Sequence, residues 1–126
     1  MKPDDIVEQL LATGLWGEPD ASMGLAADFR CQYCGKDLLA SVDNYKEWQT
    51  DHLVPSSSGG LDEISNYVIC CRTCNFIKGR WNPQSEYVGV IPTREQLIIS
   101  AKKYISEKRH ENESVVHELR KIVGRI

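Results

Sequence analysis

Cys71-Arg72-Thr73-Cys74-Asn75-Phe76-Ile77-Lys78-Gly79 closes a pattern that Cys31-Gln32-Tyr33-Cys34-Gly35 opens. Each stretch holds one C-x2-C pair, and 36 residues separate the pairs. Two thiolates at this spacing grip one ion from a tight turn, and two such pairs complete a tetrahedral sphere. Gly35, directly after Cys34, lets the backbone curl back so that amide N–H groups point at the sulfurs. Cys31, Cys34, Cys71 and Cys74 therefore read as a zinc site. The alternatives, two disulfides or buried free thiols, are weaker in a reducing compartment. Four thiolates leave no position for water, so the ion is structural. It ties the knuckle at 31–34 to the start of a helix at 71–74, and such sites contribute on the order of ten kcal/mol to folding in small zinc modules. Cys70 is left over and reads as a small apolar side chain beside Ile69, with a spare ligand as the alternative.

Outward from the cysteines, the chain has 126 residues, 41% hydrophobic and 26% charged, with a net charge of −3. That length suits one domain, 1–126, with a modest core. The charge excludes a protein that coats nucleic acid through bulk positive charge. No apolar run reaches the ~18 residues of a membrane span. The N-terminal MKPDDIVEQLLATG is acidic and amphipathic, without the apolar block of an export signal, so the expected location is the cytoplasm. Charge is uneven along the chain. Residues 1–30 carry two basic and six acidic groups, 31–93 five and seven, and 94–126 eight and five. A basic tail thus follows a more acidic body.

Local signals place a helix over 4–13, with Gly14 as its stop. Residues 14–28 carry turn signals and no clear period. Phe29 to Leu39 reads as strand, knuckle and strand, and Trp48 to Val54 as a strand stopped by Pro55. Ser56-Ser57-Ser58-Gly59-Gly60 is a flexible loop. A helix is expected from about Cys71 to Gly79, ended by Asn82-Pro83. Thr93 and Gln96 form a capping box for a helix carrying Leu97, Ile98, Ala101, Tyr104 and Ile105. A last helix, within C-terminal helices spanning about 94–124, starts near Asn112. Its stripe of Val115, Val116, Leu119, Ile122, Val123 and Ile126 either buries against its own domain or pairs with a second copy, giving a homodimer. Trp16, Trp48 and Trp81 read as packing residues, with base stacking the lesser reading for Trp81.

A second constellation lies between and after the cysteine pairs: Asp51-His52-Leu53-Val54-Pro55, then Ser58-Gly59-Gly60, Asn66, and Asn75 and Lys78 after Cys74. Singly, each element is a common polar residue. In this order and spacing, residues from about Phe29 to Pro83 resemble the HNH endonuclease family, in the variant whose last histidine is asparagine. The resemblance implies an α+β, ββα-metal core (treble-clef-like) at about 29–83. In it the Asp-His strand and a second strand form a hairpin through a long loop, with a helix packed against it. It also implies that Asn66 holds that loop and orients His52, and that cleavage leaves 5′-phosphate and 3′-hydroxyl ends.

The residue types suit that chemistry. His52 can take a proton from water near neutral pH. Asp51 and Asn75 offer two hard oxygens for a catalytic Mg²⁺ or Mn²⁺. A neutral amide at 75 favours hard ions, so zinc is expected to support cleavage poorly. Asp51 and His52 are strand neighbours and point to opposite faces, so a twist or bulge is needed if both serve one site. Lys78, Arg80, Lys102 and Lys103 are the expected contacts to nucleic-acid phosphates, with double-stranded DNA as partner; the alternative is ordinary solvated charge, for Arg80 and for the outer face of the C-terminal helices. One such site cuts one strand, so a monomer nicks. The rival reading is a non-catalytic zinc module binding nucleic acid or protein, which leaves Asp51, His52 and Asn75 unexplained. A toxin domain held by an immunity partner is a third, which the lack of a delivery segment disfavours.

Overall fold

The structure, a computed structural model, describes residues 2–125. Its elements run α1 (Pro3–Ala12), α2 (Asp20–Ala26), α3 (Val42–Lys46), β1 (Trp48–His52), β2 (Tyr67–Cys71), α4 (Arg72–Lys78) and α5 (Arg94–Ile122). β1 and β2 pair antiparallel in unbroken register, Trp48 against Cys71 and His52 against Tyr67. β2 is buried from Val68 to Cys71, as its continuous apolar run requires. It leads directly into α4, whose N-cap is Cys71. Leu38, Leu53, Val68, Ile69, Leu97, Ala101 and Ile105 form the core around the cysteines.

The cysteine knuckle at 31–34 docks on the free edge of β2. Gln32 donates its backbone N–H to the Ile69 carbonyl, and its side-chain oxygen accepts from Ile69 N–H, both at 2.9 Å. The strand pair expected across 29–39 reduces to a single bridge between Arg30 and Asp37. Asp28 and Phe29 both take φ +54°, which interrupts extended backbone just before it.

Two further expectations are corrected. Residues 14–28 contain α2, a seven-residue helix that passes close under the Trp48 ring. A Cβ on Gly24 would lie 2.8 Å from that ring, so the glycine permits the approach. Trp16 packs edge to face on both Phe29 and Trp48, the two rings that meet Gly24. The C-terminal region is one helix, α5, rather than two. Nothing between Arg94 and Ile122 breaks a helix, since the stretch holds neither Gly nor Pro. Side-chain pairs Lys108–Glu111 and His110–Glu113 span the expected junction three residues apart. The capping box forms as expected, with Thr93 Oγ1 accepting from Gln96 N–H and Gln96 Oε1 accepting from Thr93 N–H. Trp81 stacks on Tyr104 with centroids 4.3 Å apart and rings parallel within 3°, so it is a packing residue. Among the described residues, no helix is long and apolar enough to cross a membrane.

Candidate active site

The four sulfurs of Cys31, Cys34, Cys71 and Cys74 lie within 4.8 Å of one another. Each pair closes a knuckle in which the second cysteine's amide donates to the first sulfur: Cys34 N–H to Cys31 Sγ at 3.4 Å, Cys74 N–H to Cys71 Sγ at 3.3 Å. Crowding splits their acidities. Contacts with Cys71 and Cys74 hold the Cys31 thiol far below its usual range. The same contacts push Cys71 up to about 11 and Cys74 further still. Four such thiolates can coexist only around a cation, and the donor set fits zinc. Arg109 of α5 donates Nη2–H to Cys74 Sγ at 3.1 Å, placing a permanent positive charge against the cluster. Cys70 is fully buried outside the cluster. Burial, then the Asp51 carboxylate, push its thiol above its usual range.

Asp51 faces α4 and the knuckle. Its Oδ2 accepts from the Tyr33 hydroxyl at 2.8 Å and pairs with Lys78 Nζ at 3.0 Å. Lys78 Nζ also donates to the His52 carbonyl at 3.1 Å. Burial, then Asp51, push the Tyr33 phenol far above its usual range, so it remains a donor. The Lys78 side chain is 0% exposed. The expectation that Lys78 reaches phosphate is therefore corrected: its ammonium is spent on Asp51 and His52 inside the protein. The reason is helical phase. Lys78 follows Asn75 by three residues and points at β1 with it.

His52 faces the other way, as strand alternation requires, and no bulge intervenes. Its Nε2 meets Asp62 Oδ1 at 2.5 Å, and its ring packs edge-on against Tyr67. Asn66 holds the intervening loop. Its Oδ1 accepts from Val54 N–H at 2.9 Å, and its Nδ2 donates to the carbonyls of Val54 and Leu61, both at 3.0 Å. Leu61 precedes Asp62, so one amide side chain fixes both ends of the segment that sets an acid beside His52. Gly60 makes the fit possible, because a Cβ there would fall 1.8 Å from the Val54 carbonyl oxygen.

Asn75 meets Gln49, its Nδ2 donating to Gln49 Oε1 at 2.5 Å. Gln49 and Asp51 share one face of β1, and Asn75 and Lys78 share one face of α4. Asp51–Lys78 and Gln49–Asn75 are thus adjacent rungs of one strand–helix contact, about 7 Å apart along β1. Gln49, Arg72, Asn75, Phe76 and Gly79 line an open cleft of about 340 Å³. Asp51 Oδ1 takes neither of its carboxylate's two contacts, and Asn75 Oδ1 is not used by the Gln49 bond. Two uncommitted hard oxygens therefore lie on neighbouring rungs, a donor set compatible with Mg²⁺ or Mn²⁺. Among the described residues no direct side-chain bond joins Asp51, His52 and Asn75. Lys78 links the first two through one carboxylate and one carbonyl.

Arg80, Lys102 and Lys103 are exposed. Lys102 and Lys103 border a cleft of about 460 Å³ with Tyr33, Cys34, Ser106 and Arg109, beside the cysteine cluster. Sequence reasoning missed Gln49, Asp62 and Tyr33. The period of two marks Gln49 as sharing the face of Asp51, and Tyr33 lies inside the C-x2-C turn. No local signal marks Asp62.

Residues 31–80 match the family model described as HNH endonuclease. The match covers the knuckle, α3, the hairpin and α4, and it leaves α1, α2 and α5 outside. With the cysteine cluster, this region is a ββα-metal fold. No curated protein and no solved structure matches the chain.

Proposed function

We propose that the protein is a metal-dependent endonuclease that hydrolyses phosphodiester bonds in double-stranded DNA, nicking one strand per active site. The observation that supports this reading is the placement of Asp51-His52 on β1 and Asn75 on α4 of one hairpin–helix unit stapled by four cysteines. His52 is the general base. An ionised Asp62 accepts hydrogen bonds only, so His52 Nε2 carries the proton and Nδ1 presents the lone pair that takes a proton from water. Asn66 is the positioning residue for that arrangement. Asp51 and Asn75 would hold Mg²⁺ or Mn²⁺, which when bound supplies charge stabilisation at the phosphate and the leaving oxygen. Arg80, Lys102 and Lys103 are free to meet the DNA backbone.

Relaxation of supercoiled plasmid in Mg²⁺ or Mn²⁺ tests the reading. His52→Ala, matched to wild type in zinc content and melting temperature, is expected to lose about 10²–10⁴ of the nicking rate. Nicking that survives this substitution would overturn the assignment. Zn²⁺ in place of Mg²⁺ is expected to support cleavage poorly, and equal rates would remove Asn75 from its role as hard-ion ligand.

A further inference from the structure

Beyond Arg109 every described residue from His110 to Arg125 is exposed, and Val116, His117 and Arg120 border an open cleft of about 490 Å³ with Thr73 and Ile77 of α4. This segment is not simply a polar end. Val115, Val116, Leu119, Ile122 and Val123 are 56%, 53%, 55%, 73% and 64% exposed. At about 100° per residue all five fall within about 60° of Leu119, one stripe on a single face. Ile126, which extends the pattern in sequence, lies outside the described residues. Isolated exposed aliphatics are ordinary, but a contiguous exposed stripe of five on one helix face is an interaction surface.

The charges identify the occupant. From Glu111 to Glu118 the helix carries Glu111, Glu113 and Glu118 and no Lys or Arg. From Arg120 to Arg125 it carries Arg120, Lys121 and Arg125 and no Asp or Glu. The basic end complements the helix dipole, but the acidic block sits in mid-helix, where the dipole has no claim on it. Two copies laid antiparallel set each acidic block beside the other's basic end, while a parallel pair sets like against like. The sequence of this segment is therefore complementary to itself reversed, the property an isologous two-fold contact requires.

We propose that the C-terminal half of α5 pairs antiparallel with the same segment of a second copy, centred near Leu119. Such a contact buries on the order of 1,000 Å², near the lower bound for a specific interface, so the association is expected to be reversible. Glu118 also meets Lys121 of its own helix at 3.7 Å, and both remain at least half exposed for a partner.

Sedimentation equilibrium of the full zinc-loaded chain, without DNA, tests this. Wild type is expected to pass from monomer to dimer with concentration. Leu119→Glu, at a site exposed in the monomer, is expected to keep its helicity and melting temperature and to weaken association at least about tenfold. Arg120→Glu/Lys121→Glu/Arg125→Glu should not self-associate, but should pair with Glu111→Lys/Glu113→Lys/Glu118→Lys. A wild type monomeric to several hundred micromolar overturns the proposal, as does association that survives Leu119→Glu. So does a monomer in which Leu119→Glu weakens only DNA binding, which would make nucleic acid the occupant. Self-association of the triply acidic variant overturns the antiparallel arrangement. The measurement needs no cleavage, so a monomer leaves the nuclease reading standing, and an inactive dimer overturns only that reading.

Discussion

The hairpin–helix unit at 31–80 and the outer half of α5 invert the usual rule of burial in opposite directions. The first encloses a lysine and an aspartate, Lys78 wholly and Asp51 nearly so. The second displays five aliphatic side chains to solvent. A buried ion pair is costly to desolvate and is retained here with the ammonium directed to two acceptors, the Asp51 carboxylate and the His52 carbonyl. An exposed stripe costs the monomer little and contributes nothing until something covers it. In the first region an unusual residue organises its own domain, and in the second it awaits another.

The sharpest test of that contrast removes the staple. Chelation of zinc, or Cys74→Ser, is expected to unfold residues 31–80, a loss on the order of ten kcal/mol, read as collapse of near-UV circular dichroism. Next, Lys78→Met leaves the Asp51 carboxylate buried and unpaired, at a cost of about 3–5 kcal/mol by urea denaturation. Adding Asp51→Asn to it should recover much of the loss, and failure to recover would mean that Lys78 acts through packing alone. Tyr33→Phe removes one hydrogen bond to a charged acceptor and is expected to cost about 1.5–3 kcal/mol. Its nicking rate should fall further than its stability does, because the same bond orients Asp51. The smallest effect belongs to the other region: in dilute solution Leu119→Glu should change unfolding free energy by no more than about 0.5 kcal/mol. A loss comparable to that of Lys78→Met would show the stripe to be internal packing and erase the contrast.

The cysteine pairs, the capping box and β1 were legible in the sequence because each is a short-range pattern with one physical solution. α2 was not, since seven residues with a central glycine carry too little periodicity, and its reason to exist is the distant Trp48 ring. The continuity of α5 was obscured by a polar stretch at 106–114 that lacks an apolar repeat, although nothing in it opposes a helix. Lys78 looked like a surface cation because a lysine near a helix end normally is one. Only the three-dimensional meeting of α4 with the Asp51 face of β1 turns it inward. The partition of Asp51, His52 and Asn75 among Lys78, Asp62 and Gln49 depends on which strand face meets which element, and strand alternation supplies only half of that information.

α5 is unbroken from the capping box to Ile122, so the guanidinium held at Cys74 and the aliphatic face beyond it sit on a single stiff shaft. Rotation along such a shaft is counted in residues. One residue inserted after Arg109 would turn everything beyond it by about 100° and advance it by about 1.5 Å, whereas seven would nearly restore the original azimuth. The length of this spacer therefore works like the tooth count of a gear, setting the angle at which whatever grips its far end is presented to the hairpin–helix unit.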